Sequence, residues 1–301
     1  MLAQPPSTIR RIAYLGTPEA AVPPLRALHA AGFEIPLVIS QPDKRRGRGS
    51  SLVPSPVKAA ATDLGLAVSD RTSDVLDVGA DLGVVVAYGR LIKAEVLERL
   101  AMVNLHFSLL PRWRGAAPVE RALLAGDQIT GVCLMEVAVG LDEGGVYGRV
   151  EHRIAPNDTL DTLRAALVEK GTSLLVEALA NGLGQPTPQL GEAVYARKID
   201  PTELHLDLAE PAARLERIIR LGGAWVEFRG KRLRIWAAAV VPDDPASPQP
   251  TALEPGLLRG DVLSTGDGGL RLLEVQPEAK QRMSGTAWIN GARPSSAEQF
   301  G

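Results

Sequence analysis

The sequence predicts an α/β fold with a mainly parallel sheet, followed by a small C-terminal β-barrel of OB-like type. In the first two thirds of the 301-residue chain, short apolar runs alternate with stretches of helical spacing, which is typical of a parallel sheet covered by helices on both sides. After about His205, short alternating segments separated by Gly and Pro turns replace that pattern. We therefore expect one domain over residues 1–205 and a second over residues 206–301.

The elements of the first domain follow from the spacing of its apolar residues. Short apolar runs that end in turns predict strands, and apolar residues three and four apart predict helices. The predicted strands are Arg11–Leu15, Glu34–Ser40, Leu82–Ala87, the segment that carries Asn104, Gly131–Val137 and Val146–Ile154. The predicted helices run from Ala20 to Leu28, Ser55 to Leu64, Leu91 to Leu100, Pro118 to Leu124 and Asn157 to Gly182.

The second domain is predicted to begin with one helix, Pro211–Leu221, and to continue as strands. Gly and Pro separate its short alternating segments, and residues 242–255 form a proline-rich loop. The predicted strands are Trp225–Phe228, Arg232–Val241, Gly256–Leu258, Val262–Ser264 and Leu270–Val275.

The composition is that of an ordinary globular protein. A formal net charge of −2 and 45% hydrophobic residues imply no strong electrostatic partner for the protein as a whole. Neither a signal-peptide stretch nor an apolar run long enough to cross a bilayer is present, so we expect a cytoplasmic location and no membrane contact. The single Cys133 is expected to be a buried structural thiol, and the four scattered histidines give no reason to expect a metal.

The first strand-to-helix turn argues against a nicotinamide cofactor. This turn, Gly16-Thr17-Pro18, contains one glycine. A dinucleotide site needs the spacing G-x-G-x-x-G, in which the glycines let the backbone approach the pyrophosphate. The dehydrogenase interpretation is therefore disfavoured, although the alternation of strands and helices would suit it.

Two groups of basic residues are candidates for nucleic-acid binding. The first is a glycine-containing loop in which one carboxylate, Asp43, accompanies Lys44, Arg45, Arg46 and Arg48. Such a run is either a solvated loop or a contact to a phosphate backbone, and the residues alone leave both open. The second group falls in the second domain, where a basic barrel face would suit nucleic acid; it comprises Arg214, Arg217, Arg220, Arg229, Lys231, Arg232 and Arg234.

Three polar side chains are candidates for chemistry. Asn104 and His106 leave a predicted strand two residues apart, so alternation points both the same way, at the carboxyl end where α/β folds place ligands. His106 alone could be a satisfied core histidine, but its position at the carboxyl end of the strand favours a ligand site. Asp142 lies in a glycine-framed loop, residues 140–145, which by itself predicts an ordinary hairpin turn.

Longer motifs around these residues resemble the folate-dependent formyltransferases. The match covers nearly the whole chain and is stronger in the first domain. It consists of Asn104-x-His106-x-Ser108-Leu109-Leu110-Pro111-x-Trp113-Arg114-Gly115-Ala116-Ala117-Pro118 and Gly140-Leu141-Asp142-x-Gly144. Three further segments are similar to the branch of the family that acts on charged tRNA: Ser40-Gln41-Pro42-Asp43 with Gly47-Arg48-Gly49, Pro54-Ser55-Pro56-Val57-Lys58 and Val85-Val86-Ala87-Tyr88-Gly89.

The resemblance implies a Rossmann-like catalytic domain and a barrel that helps to hold tRNA. It implies that a formyl group passes from 10-formyltetrahydrofolate to the methionine α-amino group of initiator Met-tRNA, through a tetrahedral intermediate, for translation initiation. The protein is expected to act as a monomer without a metal. The implied catalytic residues are Asn104, His106 and Asp142; the implied folate contacts are Ser108, Leu109, Leu110 and Pro111; the implied tRNA contacts are Lys44, Arg45, Arg46 and Arg48.

Three positions depart from the family pattern. Phe107 stands where a smaller residue is common, and Glu143 stands where Thr is common. Lys44 takes a place often held by Arg, and a lysine cannot offer the two parallel donors with which Arg grips a phosphate or a base edge. Lys44 therefore offers tRNA a single point charge at this position.

Two other functions remain to be distinguished. A formyltransferase for a small amine, such as glycinamide ribonucleotide or an amino-sugar nucleotide, would share the three catalytic residues and differ in its acceptor. A non-catalytic RNA-binding protein would not need all three, and their joint presence argues against that alternative.

Overall fold

The computed structural model describes residues 2–45, 52–241, 254–295 and 298–301. Arg46 and Arg48 of the predicted basic loop, and residues 242–253 of the predicted proline-rich loop, lie outside these ranges. The chain divides into two compact units. The first comprises Met1–Arg121, Gln128–Ala155 and Thr162–Arg197, and the second comprises Ala122–Asp127, Pro156–Asp161 and Lys198–Gly301. The boundary after residue 205 stays a prediction.

The first unit is built on a seven-stranded sheet in the order β10-β9-β7-β6-β1-β2-β5. The five strands from β7 to β5 run parallel, while β9 and β10 add an antiparallel edge, which confirms the mainly parallel sheet. The strands of this unit are β1 (Arg11–Gly16), β2 (Glu34–Ile39), β3 (Lys44–Arg45), β4 (Leu52–Val53), β5 (Val68–Ser69), β6 (Leu82–Val86), β7 (Met102–His106), β8 (Arg114–Gly115), β9 (Ile129–Glu136), β10 (Val146–Arg153) and β11 (Tyr195–Ala196).

The helices before residue 200 follow the predicted pattern, with one correction. They are α1 (Val22–Ala30), α2 (Pro56–Asp63), α3 (Ala94–Leu97), α4 (Pro118–Ala125) and α5 (Leu160–Asn181). The helix predicted over residues 91–100 is wrong in length, because Lys93 is extended (ψ 146°) and the α-helix begins only after it. Leu91 is 79% exposed, so no core contact holds the preceding turn in a helix.

The central strands place the core of this unit. All five residues of β6 are buried, as expected of a parallel strand covered on both faces. Each fully buried Val or Leu side chain contributes about 1.5–3 kcal/mol to folding through its removal from water. Cys133 on β9 is also fully buried, and this burial raises the pKa of its thiol, as a structural cysteine requires.

After residue 205, the described part of the second unit combines antiparallel strands with helices, which confirms the predicted change of architecture. Its sheet runs in the order β12-β13-β16-β15-β14, and β17 pairs with β16. Closure into a barrel stays a prediction. The elements are α6 (Ala212–Arg220), β12 (Trp225–Phe228), β13 (Lys231–Val241), β14 (Leu258–Arg259), β15 (Val262–Ser264), β16 (Gly269–Pro277), β17 (Met283–Ser284) and α7 (Gly285–Ala292).

Helix α7 was not predicted from the sequence. Its first turn is capped by Ser284, whose Oγ accepts a hydrogen bond from the Ala287 N–H at 3.2 Å. Trp288 of this helix packs in an aromatic cluster with Phe228 and Phe300, with ring centroids 4.7–5.9 Å apart. Within the described ranges, no helix combines the length and the apolar character that a membrane span requires.

Candidate active site

Strand β7 brings the first two candidate residues to the carboxyl edge of the parallel strands. Asn104 is paired in register with Val85 of β6 and Met135 of β9, and it is partly exposed. His106 ends the strand and is 5% exposed. The Asn104 side chain makes no hydrogen bond to any residue that the structure describes, so its amide is available to a ligand.

Asp142 lies beside His106. It belongs to the loop that joins the antiparallel strands β9 and β10, so the prediction of a hairpin turn is confirmed for its backbone. Its Oδ2 is 3.6 Å from Nδ1 of His106, and the two side chains are 15% and 6% exposed. The structure therefore brings the imidazole and the carboxylate together, although they are distant in the sequence.

The hydrogen bonds of His106 define which ring nitrogen faces the carboxylate. Nε2 is 2.8 Å from the carbonyl oxygen of Trp113. A carbonyl oxygen only accepts, so Nε2 carries a hydrogen, and Nδ1 is the nitrogen directed toward Asp142. When both nitrogens carry a proton, His106 and Asp142 form an ion pair.

A backbone amide also holds the carboxylate of Asp142. The Gly115 N–H donates to Oδ2 at 2.8 Å. Gly115 has φ +111°, and a Cβ at this position would lie 3.0 Å from the Ala196 carbonyl oxygen, so a larger residue would be strained there. Asp142 itself has φ +53°, in the left-handed region that non-glycine residues rarely adopt.

The predicted folate-contacting segment has two kinds of side chain. Ser108 is fully buried, and its Oγ donates to the Arg112 carbonyl oxygen at 2.6 Å. Leu110 is 3% exposed, whereas Leu109 and Pro111 are partly exposed. Ser108 and Leu110 therefore hold the turn in shape. Contact of this segment with folate stays a prediction. Because Leu109 and Pro111 are the more exposed residues, we expect them and the backbone to make that contact.

Arg114 and Gln189 hydrogen-bond to each other, and both contact the loop that carries Asp142. Sequence analysis singled out neither residue for a role of its own. Arg114 was only one letter of the family motif, and Gln189 stands in a proline-containing stretch without any recognisable pattern. Among the described residues, no group of three or more His, Cys, Asp or Glu side chains is placed to hold a metal ion.

The described part of the basic loop is exposed. Lys44 and Arg45 form β3, which pairs with β4 on the other side of the loop. Asp43 is bound by Lys58 of α2, with Nζ and Oδ1 2.8 Å apart. The carboxylate of the loop is thus already paired outside it, and neither Lys44 nor Arg45 forms an ion pair with a described residue.

The basic cluster of the second unit is less uniform than the sequence predicts. Arg214 pairs with Glu210 at 3.4 Å and Arg220 pairs with Glu216 at 3.0 Å, so the predicted basic face of α6 is partly neutralised. Arg229 is bound to Glu298, whose pKa this guanidinium lowers to about 2.

Three other cations of this cluster, Lys231, Arg232 and Arg234, line a cavity of about 510 Å³. The Arg232 guanidinium stacks on the ring of Trp225 with 4.1 Å from Cζ to the ring centroid. Two carboxylates also line the cavity, so it is mixed in charge with a basic excess. The charged residues and the aromatic residue that line it are Trp225, Glu227, Lys231, Arg232, Arg234 and Glu278.

Comparison with protein families identifies the class. Residues 10–179 match the model described as formyl transferase, and residues 198–293 match that of the formyl transferase C-terminal domain. Fold, site and family matches together define a formyl transferase. Members of this family use folate-derived formyl donors.

Full-length relatives then identify the particular family. The methionyl-tRNA formyltransferase of Thermobifida fusca (strain YX) is 40% identical over 310 residues, which cover 97% of this chain and 99% of that protein. The methionyl-tRNA formyltransferase of Jannaschia sp. (strain CCS1) is 42% identical over 301 residues, covering 94% and 97%. The chain belongs to the methionyl-tRNA formyltransferase family.

Solved structures share the fold at low sequence identity. The N-formyltransferase of Helicobacter canadensis, in complex with folinic acid and dTDP-3-aminofucose, has a TM-score of 0.65 at 16% identity and covers 92% of this chain and all of that one. HypX of Aquifex aeolicus, in complex with tetrahydrofolic acid, has a TM-score of 0.62 at 17% identity. The match covers 94% of this chain and 47% of HypX, so this chain spans about half of that protein.

Proposed function

We propose that the protein transfers the formyl group of 10-formyltetrahydrofolate to the α-amino group of methionine on initiator tRNA. The observation that carries the proposal is the pair His106–Asp142 at the carboxyl edge of β7, two residues after Asn104 on the same strand, in a chain of the methionyl-tRNA formyltransferase family. The product is initiator tRNA that carries formylmethionine, with which translation starts.

The chemical step is attack of the amine on the formyl carbon. A C–N bond forms, and the carbonyl electrons move to oxygen, which gives a tetrahedral adduct with negative charge on that oxygen. Stabilising this charge is the main electrostatic task of the site. The Asn104 amide is a neutral donor that no described residue already occupies, and we assign it to that oxygen.

Two proton movements complete the reaction. The attacking nitrogen must lose a proton, and the Asp142 carboxylate, held by the Gly115 amide, takes it directly or through a water. When the bond between the carbon and the folate nitrogen breaks, that nitrogen takes up a proton from Nδ1 of doubly protonated His106. The proton that Asp142 took from the amine then passes to Nδ1, which lies 3.6 Å away, and restores both groups. The products are the formyl amide and tetrahydrofolate, and no covalent bond to the enzyme is needed.

tRNA contacts are proposed on each unit separately. In the first unit, Lys44, Arg45, Arg46 and Arg48 supply cations for the phosphates near the acceptor end. The exposure of Lys44 and Arg45, and the pairing of Asp43 with Lys58, support this assignment. In the second unit, the cavity with Trp225 and Arg232 combines an aromatic ring with positive charge, a combination that suits RNA.

Charge reversal in the basic loop is expected to weaken tRNA binding. The affinity of tRNA falls as salt rises, so the slope of log K against log salt concentration is negative. In the variant Lys44→Glu/Arg45→Glu this slope should move toward zero by roughly 0.7–0.9 for each phosphate that the loop no longer neutralises. Filter binding or fluorescence titration of tRNA between low and moderate salt measures this slope. The exposed Arg99, changed to Glu, serves as the control, and an unchanged slope in the double variant would show that the loop is merely solvated.

A parallel assay of acceptors tests the function itself. Labelled 10-formyltetrahydrofolate is offered with charged initiator tRNA, charged elongator methionine tRNA, glycinamide ribonucleotide and an amino-sugar nucleotide. We expect label on methionine of the initiator tRNA and little on the small amines. Transfer only to a small amine, or to none of the four, would overturn the proposed function.

A further inference from the structure

Gln189 links the loop that carries Asp142 to the side chain of Arg114. Its Nε2 donates to the carbonyl oxygen of Asp142 at 2.9 Å and to that of Gly144 at 2.8 Å. Its Oε1 accepts from Nε and Nη2 of Arg114 at 3.0 and 2.8 Å. A glutamine amide offers two hydrogens and two lone pairs, so these four bonds use its whole capacity.

The orientation of this amide is fixed by its partners. Arg114 can only donate and the two carbonyl oxygens can only accept, so exchanging the amide oxygen and nitrogen would break all four hydrogen bonds. The Arg114 side chain is 13% exposed. Water therefore competes only weakly for these four hydrogen bonds, which strengthens them.

The network acts on Asp142 from both sides. Arg114 directly precedes Gly115, whose N–H donates to the Asp142 carboxylate. The bonds from Gln189 hold the Asp142 backbone in its left-handed conformation at φ +53°, which a non-glycine residue keeps only where its surroundings enforce it. The Gln189 side chain thus holds both the loop that carries the Asp142 carboxylate and the segment whose Gly115 N–H binds that carboxylate.

We propose that Gln189 is a positioning residue for the formyl transfer, which holds the Asp142 carboxylate at the distance from His106 and Gly115 that proton transfer needs. The inference rests on the proposed function of this site. Gln189 itself does not touch the reacting atoms in this scheme; it acts through Asp142.

The test compares Gln189→Met with Gln185→Met. Methionine has nearly the length of glutamine but makes none of the four hydrogen bonds. We expect the turnover number to fall about 10- to 100-fold, as for a misplacement of about 1 Å, with KM for charged tRNA and for folate changed less than about threefold. Gln185 is exposed on the same segment and serves as the matched control, with wild-type turnover.

A second variant gives a signature that a merely structural role would not produce. In Gln189→Glu the carboxylate keeps Arg114 but faces the two carbonyl oxygens with a lone pair. Once protonated at low pH, it can donate again. The ratio of its turnover to that of wild type should therefore rise as the pH is lowered toward 5, while the ratio for Gln189→Met stays flat.

Hydrogen exchange supplies a readout besides activity. The Gly115 N–H should lose protection in Gln189→Met and keep it in Gln185→Met. A turnover number of Gln189→Met within twofold of wild type, or unchanged Gly115 protection, would overturn the inference. Wild-type protein that formylates no charged tRNA would instead overturn the proposed function. Should Gln189→Met fail to fold, the pH dependence of Gln189→Glu decides.

Discussion

Replacing Asp142 with asparagine is expected to lower the turnover number for formyl transfer about 10²- to 10⁴-fold, the range of a missing acid–base group. Asparagine has the same shape, tolerates the left-handed backbone and can still accept the Gly115 N–H. What it lacks is the charge that faces Nδ1 of His106 and the group that takes the proton of the amine. The protein should remain folded, so the effect is chemical.

The neighbouring carboxylate provides the control for this variant. Glu143 lies on the same loop, is 52% exposed and is 3.6 Å from Nη1 of Arg114. Glu143→Gln should keep turnover within about twofold, since the Glu143 carboxylate is half exposed and pairs with Arg114, not with His106. Turnover is measured with saturating charged tRNA and formyl donor, alongside a thermal melt. If the turnover number of Asp142→Asn falls by less than tenfold, Asp142 is not the group that takes the proton.

The second large effect is expected for Asn104→Ala. Removing one donor to a developing oxyanion typically lowers the rate about 10²- to 10³-fold. Because the Asn104 amide makes no hydrogen bond to a described residue, its removal leaves no described group unsatisfied. We therefore expect a lower turnover number with little change in melting temperature, which is the opposite of what a structural asparagine would show.

The isosteric Asn104→Asp variant sharpens this prediction. A carboxylate would place negative charge where negative charge develops, so its turnover should fall at least as far as that of the alanine variant. Asn290→Ala, at an exposed position of α7, controls for the removal of an amide elsewhere. Normal turnover in Asn104→Ala would assign the stabilisation of the oxyanion to His106 or to a backbone amide.

Much of the fold was predictable because apolar spacing and turn residues report on burial directly. The uninterrupted run that became β6 is buried on both faces, and the change at the second domain marks a real change to antiparallel strands. The errors lie where burial was misjudged. Leu91 belongs to the apolar spacing of a predicted helix, yet it is exposed, and α3 is shorter for that reason.

The candidate site was only partly predictable. The residues and the family motif pointed to Asn104, His106 and Asp142, and the structure brings His106 and Asp142 together. Interactions through the backbone were invisible to the same reasoning. The Trp113 carbonyl that binds Nε2 of His106 and the Gly115 amide that binds Asp142 have no side-chain signature in the sequence.

Gln189 was not predictable for a different reason. Its importance arises from partners 45, 47 and 75 positions away in the chain, which a local pattern does not encode. A glutamine that directly follows a proline predicts a loop, and only the folded chain shows which groups that loop binds.

The segment after α5 sets a minimum length for the catalytic half of the protein. The formyl transferase match of the first domain ends at residue 179, and a chain ended at Asn181 would still contain Asn104, His106 and Asp142. The seven-stranded sheet would be complete as well. Such a chain would nevertheless lack Gln189 and the strand β11 that pairs with β8. The shortest chain that completes the sheet and the shortest that completes the site thus differ: the first ends at Arg153 with β10, and the second extends to Ala196.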